Sequence, residues 1–187
     1  MSSDAWNWVT NSQFPSFSLV FARSKSPESM LEAYGADVEA ATRMTRKESI
    51  SAFPKRKVES LFRVGILGDW AFCYEDRQLL GLTNSVRECL SQGCETIGLH
   101  KGADGTRVFE RMENSRSVEM FEPDRPSEVR GDGPFILSDL VREKLTHTGP
   151  ERRGISALLL VLTEHFGLEL DWETLEGPLL TAPLSTR

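Results

Sequence analysis

Residues 61–75 read L-F-R-V-G-I-L-G-D-W-A-F-C-Y-E, and this stretch decides the fold. Two runs rich in β-forming residues flank Gly68 and Asp69, a two-residue connection with glycine first, which is typical of a type II′ hairpin turn. The predicted cross-strand pairs are Leu67 with Trp70, Ile66 with Ala71, Gly65 with Phe72, Val64 with Cys73 and Arg63 with Tyr74. Cys73 then shares a sheet face with Val64, and we expect its thiol in the hydrophobic core.

A second hairpin is predicted further along the chain. A strand over residues 96–101 leads to Asp104 and Gly105, and an Asp-Gly pair is a strong signal for a two-residue type I′ turn. This turn sets the register of the returning strand. The predicted pairs are Lys101 with Val108, His100 with Phe109, Leu99 with Glu110, Gly98 with Arg111 and Ile97 with Met112.

The turn near Asn114 connects the returning strand to a third one, and two loop lengths compete there. A two-residue loop would set Glu110 opposite Glu119, and like charges directly opposite each other are destabilising. We therefore expect a three-residue loop. It gives the pairs Arg111 with Glu119 and Phe109 with Phe121.

These registers predict a face of the sheet that mixes aromatic and charged side chains, because side chains alternate across a strand. Its members are His100, Arg107, Phe109, Arg111, Glu119 and Phe121. Two arginines can hold an anion in a bidentate manner, and an imidazole titrates near neutral pH. The face is therefore our candidate surface for a ligand or partner. The competing interpretation is a solvated face stabilised by pairing of Arg111 with Glu119.

The elements that surround these hairpins are a strand over residues 16–22 and two short capped helices that begin after Ser26 and Thr45. Residues 122–134 contain three prolines and two glycines and are expected to form a long surface loop. Helices are expected over residues 138–146 and 155–166, the second one apolar nearly all round and therefore buried.

The predicted fold class is α+β. We expect a single, mainly antiparallel sheet of about five or six strands with helices packed on it, and a helical C-terminal part. Residues 1–187 form one domain in this interpretation, because the chain has the length of one ordinary domain and shows no internal repeat.

Composition narrows the protein class further. Apolar residues make up 39% of the chain and charged residues 27%, which excludes disordered and collagen-like proteins. Three cysteines are too few for a disulfide framework and indicate a reducing compartment. The N-terminus has no signal-peptide pattern, and the longest apolar run, residues 157–162, is too short to cross a membrane. We expect a cytoplasmic protein.

Charge is distributed unevenly along the chain. The net charge of −6 disfavours a general nucleic-acid binder. Residues 43–63 depart from this average, with seven basic residues against Glu48 and Glu59. The basic residues are Arg43, Arg46, Lys47, Lys55, Arg56, Lys57 and Arg63. A solvated helix and loop is the ordinary interpretation of such a run.

The chain lacks the short motifs of hydrolases, metalloproteases and nucleotide-binding proteins. The only soft metal ligands with any clustering are Cys73, Cys89, Cys94 and His100, and their spacing is not that of a zinc site. Buried free thiols are the simpler interpretation. The histidines available as catalytic bases, His100, His147 and His165, have no local signature. We expect no metal and no cofactor.

Several blocks of the sequence resemble an uncharacterised family, a domain of unknown function that is associated mainly with actinobacteria. The blocks are S-L-V-F-A-R at residues 18–23, S-P-E at 26–28, R-V-G at 63–65, W-A-F at 70–72 and G-P-L-L-T-A at 177–182. The resemblance implies one compact domain in a bacterial cytoplasm. It implies no activity and no catalytic residues.

Two principal functions remain in view. The first is a non-enzymatic binding or regulatory module, including an immunity-type module, that recognises another protein through the mixed face or the basic segment. The alternative is a metal-independent enzyme or a binder of a small anionic ligand, in which His100 and Glu119 would be catalytic and Arg107 with Arg111 would hold the anion. Nucleic-acid contact through the basic segment ranks last, and the sequence names neither ligand nor oligomeric state.

Overall fold

An eight-stranded antiparallel sheet forms the centre of the protein in a computed structural model, which describes residues 4–11, 13–147 and 154–185. The strands are β1 (Phe17–Arg23), β2 (Thr42–Met44), β3 (Val58–Leu67), β4 (Trp70–Glu75), β5 (Glu95–Lys101), β6 (Arg107–Glu113), β7 (Arg116–Phe121) and β8 (Leu179–Ser185). Their order across the sheet is β2-β8-β3-β4-β1-β5-β6-β7.

The helices are α1 (Pro27–Ala33), α2 (Arg46–Ala52), α3 (Asn84–Ser91), α4 (Ile136–His147), α5 (Gly154–Phe166) and α6 (Trp172–Glu176). Short 3-10 turns lie at Asp4–Thr10, Leu80–Leu82 and Pro126–Glu128. Ser26 and Thr45 cap α1 and α2 through the predicted hydrogen bonds, and both caps are complete capping boxes.

Helices cover both faces of the sheet. Helices α4 and α5 pack on one side, together with the N-terminal 3-10 turn, and their core contains Trp8, Phe72, Leu99 and Leu158; we call this side the α5 face. Helices α1 and α3 pack on the other side, the α1 face, whose core contains Met30, Leu31, Phe62 and Cys73. Strands β1 and β4 are therefore buried on both sides, which explains why nearly all of their residues are apolar.

The α+β class and the single antiparallel sheet are confirmed, whereas the predicted strand number of five or six is wrong. Strands β2 and β8 account for most of the difference. Strand β2 has only three residues, and β8 contains Pro183, which disfavours a strand within a sheet. Strand β8 tolerates this proline because β2 pairs only with residues 179–181, so that Pro183 lies where β8 is itself an edge.

The hairpin of β3 and β4 has the predicted register in all five pairs, from Leu67 with Trp70 to Arg63 with Tyr74. Gly68 has a φ of +57°, while Asp69 has an ordinary negative φ, which agrees with a type II′ turn. The prediction succeeded because the turn residues alone determine the register of a two-residue hairpin.

The predicted register of β5 and β6 is wrong by one residue. The structure pairs His100 with Val108 and Leu99 with Phe109. The loop has three residues instead of two, because the Gly105 amide donates to the Gly102 carbonyl and Gly105 has a φ of +89°. This is a type I turn followed by a left-handed residue. A shift of one residue turns every side chain of β6 to the other face relative to β5.

The register of β6 and β7 is confirmed at the two pairs that we predicted, Arg111 with Glu119 and Phe109 with Phe121. The loop prediction, however, is wrong. Asn114 and Ser115 both have positive φ angles and form a two-residue turn. The register shifts between Arg111 and Met112 through an irregularity of β-bulge type, which restores the pairing of opposite charges.

The long loop after β7 follows the edge of the sheet. Met120 and Arg130 exchange two backbone hydrogen bonds of 2.8 Å, and the amides of Asp132 and Gly133 donate to carbonyls of β7. Gly131 is required there, because a Cβ atom at this position would lie 2.3 Å from the Val118 carbonyl oxygen. The loop therefore shields an edge strand from pairing with other chains.

Candidate functional site

Five of the six predicted site residues share the α5 face, but this face is interior. Phe109 and Phe121 are 0% and 3% exposed, and their ring centroids lie 5.0 Å apart under the helices. Glu119 and Arg111 are also buried. The predicted face of six residues does not form as one surface, because His100 lies on the opposite side of the sheet and four of the other five residues are buried.

Glu119 and Arg111 fasten helix α4 to the sheet. The Glu119 carboxylate accepts hydrogen bonds from the Leu137 amide (3.2 Å) and from the Ser138 amide and hydroxyl (both 3.0 Å), so it caps the N-terminus of α4 from a neighbouring strand. Arg111 donates from Nε to Glu119 (3.3 Å) and from Nη2 to the Pro134 carbonyl (3.1 Å). These contacts give the charged side chains of Glu119 and Arg111 a structural role.

Arg107 lies at the end of β6 and is only half-buried. Its Nη1 atom lies 3.5 Å from a carboxylate oxygen of Asp124, so the side chain ties the start of the long loop to the sheet. The ligand-binding role that we predicted for Arg107 stays a prediction.

His100 lies on the α1 face, across the sheet from Arg107, because of the register shift between β5 and β6. Its Nδ1 atom is 2.9 Å from the Ser18 hydroxyl. Burial, assisted by the positive charge of Arg87, lowers the pKa of His100 to about 3. The imidazole is thus neutral at physiological pH, and so low a pKa makes it a weak general base.

A row of buried polar groups continues from His100 across the α1 face. Ser18 on β1 lies opposite His100 on β5 and opposite Glu75 on β4. Glu75 is 0% exposed. Glu75 accepts a hydrogen bond of 2.6 Å from the Ser60 hydroxyl and one of 3.4 Å from the Gly81 amide. Burial raises the pKa of Glu75 to about 7, although these donors oppose the rise.

Residues 76–82, which we call the cover segment, pack over these buried polar groups on the α1 face. A Cβ atom on Gly81 would lie 2.4 Å from the Ser18 hydroxyl oxygen and 2.8 Å from that of Tyr34, so only glycine fits. The Tyr34 hydroxyl is buried without a hydrogen-bond partner. Burial raises the pKa of Tyr34 and of Cys73, which keeps both groups neutral.

Sequence reasoning did not single out Glu75. The available signal was an acidic residue that ends the run W-A-F-C-Y-E in a strand apolar on both faces. An acid in such a strand is expected to be buried, and buried carboxyl groups with perturbed pKa values are candidates for functional groups.

The basic segment divides into an internal and an external set. Arg63 is 2% exposed and donates to the carbonyls of Leu175, Met44 (3.0 Å) and Gly177 (2.7 Å). Arg46 lies over the ring of Trp172, 5.0 Å from its centroid, and approaches two acidic side chains. Both arginines therefore hold the C-terminal elements against the sheet.

The external set is exposed and unpaired, and consists of Arg43, Lys47, Lys55, Arg56 and Lys57. Arg43 lies on edge strand β2, whereas the others follow helix α2 and the turn after it. None of them forms an ion pair or a side-chain hydrogen bond within the described parts of the chain. Ile50 lies among them and is 44% exposed. We define the α2 surface as Lys47, Ile50, Lys55, Arg56 and Lys57.

The described residues contain neither a metal-binding cluster nor a membrane-spanning helix. Among the residues that the structure describes, no group of three or more histidine, cysteine or acidic side chains is arranged to hold a metal ion. All three cysteines are free thiols. No described helix has the length and apolar character needed to cross a membrane.

A sequence comparison with protein families gives one match, over residues 3–154. The chain belongs to DUF6461, a family of unknown function. The DUF6461 match ends where α5 begins, so α6 and β8 lie outside it, as does the G-P-L-L-T-A block at residues 177–182. No curated protein and no solved structure matches the chain.

Proposed function

We propose that this protein is a non-enzymatic, regulatory module that binds an acidic partner protein through the α2 surface. The observation that supports the proposal is the set of unpaired, exposed cations around Ile50, on a chain whose net charge is −6. Because these cations form no ion pair within the described residues, pairing them with a partner's acids breaks no existing ion pair. Charge complementarity of this kind accelerates association and selects the partner.

A protein partner is favoured over a nucleic acid by the composition of the α2 surface. It includes an exposed isoleucine side chain, and protein interfaces combine apolar side chains with a polar rim. A nucleic-acid site would instead need a continuous basic surface and aromatic or arginine contacts to bases. The acidic character of the rest of the chain also opposes nucleic acid.

The alternative, an enzyme or small-molecule binder that combines His100 with Arg107 and Arg111, has less support. The sheet separates the imidazole from both guanidinium groups, so the three cannot contact one small ligand. We further propose a bacterial, cytoplasmic setting, in line with the free thiols and the resemblance of the N-terminal blocks.

Photo-crosslinking from the α2 surface tests the proposal. Replacing Ile50 with a photoreactive amino acid in cells that express the full chain should give adducts with an acidic protein. Ile66 is the matched control, because it is another exposed isoleucine (53%) but lies at the β3–β4 hairpin. Adducts of equal yield from both positions would count against a specific site at α2.

Charge reversal provides the second arm of this experiment. Changing Lys47, Lys55, Arg56 and Lys57 together to glutamate should reduce the Ile50 adduct by about tenfold or more, because like charges then face the acidic partner. Reversal of Arg125, Arg130 and Arg142 on other surfaces is the control and should leave the yield unchanged. Loss of the adduct on nuclease treatment would reassign the surface to a nucleic acid.

A further inference from the structure

Two ionisable groups are buried with little compensation when the cover segment is closed, one just before the segment and one within it. Glu75 precedes it with a carboxyl group that is 0% exposed, and no arginine or lysine lies within ion-pair distance among the described residues. Arg77 within it has a side chain that is only 6% exposed. Its Nε and Nη1 atoms are buried without hydrogen-bond partners, and Nε has a long ion-pair contact of 3.9 Å with a carboxylate oxygen of Asp76. Both groups would gain solvation if the segment lifted.

The groups that face Glu75 leave its protonation to burial. Hydroxyl groups approach from three places: Ser60 on β3, Ser18 on β1 and Tyr34, the C-terminal cap residue of α1. The thiol of Cys73 lies on the same strand as Glu75. His100 on β5 is neutral, and the negative charge of Asp76 adds to the rise in the pKa of Glu75. None of these groups supplies a positive charge.

The cover segment is also attached to helix α2. Arg77 donates from Nη2 to the carbonyl of Phe53, the C-terminal cap residue of α2, at 2.5 Å. At the other end of the helix, Arg46 lies 3.8 Å from Asp76. A movement of the cover segment therefore removes contacts from both ends of a helix of seven residues.

We propose that Glu75 and the cover segment form a proton-linked latch that controls the order of helix α2 and, with it, the α2 surface. In the closed state the protonated carboxyl group is buried beneath the Gly81 amide. Loss of the proton places a negative charge in a buried environment without a cation, which favours lifting of the segment and fraying of α2. The proposal rests on the proposed function only in identifying the α2 surface as what is regulated.

The sign and size of the effect follow from linkage. The closed state binds the proton more tightly than the open state, because the pKa of Glu75 is about 7 when buried and near its ordinary value of 4.5 when solvated. The opening constant of the segment should rise about tenfold per pH unit between these values, about 300-fold in all, and then level off. Low pH therefore closes the latch.

Hydrogen exchange of the full chain tests the latch between pH 5 and pH 8. Protection factors, which remove the intrinsic pH dependence of exchange, should fall with rising pH at the Gly81 and Phe53 amides of the wild type. In the Glu75→Gln variant both should be independent of this titration, because the amide is neutral throughout. The Gly102 amide in the β5–β6 hairpin is an internal control and should behave alike in both proteins.

A Ser60→Ala variant keeps the test decisive if Glu75→Gln does not fold. It removes a donor that lowers the pKa of Glu75, so the levelling-off of the opening constant should move to higher pH.

Equal pH dependence in the wild type and in Glu75→Gln would overturn the proposal. A response at Gly81 without one at Phe53 would also overturn it, since α2 would then be uncoupled. Failure of the crosslinking experiment, in contrast, removes the proposed function and leaves these amide responses intact.

Discussion

Glu119 is buried on the α5 face of the sheet and Glu75 on the α1 face, and the two sites differ in how the charge is compensated. Glu119 on the α5 face has an arginine and three donors of helix α4 around its carboxylate. Glu75 on the α1 face has a hydroxyl group and a long hydrogen bond from one amide. The carboxylate of Glu119 is held by fixed structural contacts, whereas burial raises the pKa of Glu75 to about 7. The number of cations and hydrogen-bond donors around a buried acid, more than burial itself, decides whether it stays ionised or titrates near neutral pH.

The α1 face should respond most strongly to acid, through His100. The imidazole has a pKa of about 3 when folded and 6.5 when solvated, so its contribution to stability is present above pH 6.5 and is lost as the pH falls towards 3. The difference in unfolding free energy between wild type and His100→Gln should change by about 5 kcal/mol over this range. Urea unfolding at a series of pH values measures it, and a constant difference would contradict the burial of a neutral imidazole.

On the compensated face, removal of the acid alone should be costly at every pH. Glu119→Ala leaves Arg111 buried with fewer partners and uncaps α4, and we expect a loss of about 3–5 kcal/mol in unfolding free energy. Urea unfolding at pH 7 provides the value. A loss below about 1 kcal/mol would mean that water or Glu95 replaces the carboxylate.

Glu75→Gln should change the pH dependence of stability in the opposite sense to His100→Gln. Because the pKa of Glu75 is raised from 4.5 to about 7, its contribution is present at low pH and is lost as the pH rises between these values. The wild type should therefore lose about 3 kcal/mol relative to Glu75→Gln from pH 4.5 to pH 7. Parallel unfolding curves of the two proteins across this range would show that Glu75 is ionised throughout.

The smallest effect should come from an ion pair that neither face buries. Arg116 and Asp132 lie 2.8 Å apart, with side chains 72% and 58% exposed. Arg116→Ala should cost less than about 1 kcal/mol, and less still in high salt, because water screens the pair. A loss comparable to that of Glu119→Ala would mean that pairing, and not burial, sets the cost at both sites.

Much of the sheet was predictable where neighbours in sequence are neighbours in space. The β3–β4 hairpin follows from Gly68 and its flanking strands, and the pairing of Arg111 with Glu119 follows from charge. At Asp104-Gly105 the same reasoning failed, because Gly105 can also take the left-handed position that ends a three-residue loop. The two turns differ little in local energy, and the burial of Phe109 beside Leu99 selects between them.

The candidate site was less accessible to sequence reasoning. Residues 43–63 read as one basic run, although Arg63 is buried and only the α2 surface is free. Burial depends on α6 and β8, which lie more than a hundred residues further along the chain. Glu75 was overlooked for the same reason, since the groups that surround it come from five separate elements.

The amino-acid sequence by itself determined the α+β class, the helix caps and the β3–β4 register, because each rests on interactions within a few residues. Only the tertiary structure decided which face His100 occupies, which cations remain free and which acid is left without a cation. These properties depend on the dielectric environment and on partners from distant segments, and no local pattern encodes either one.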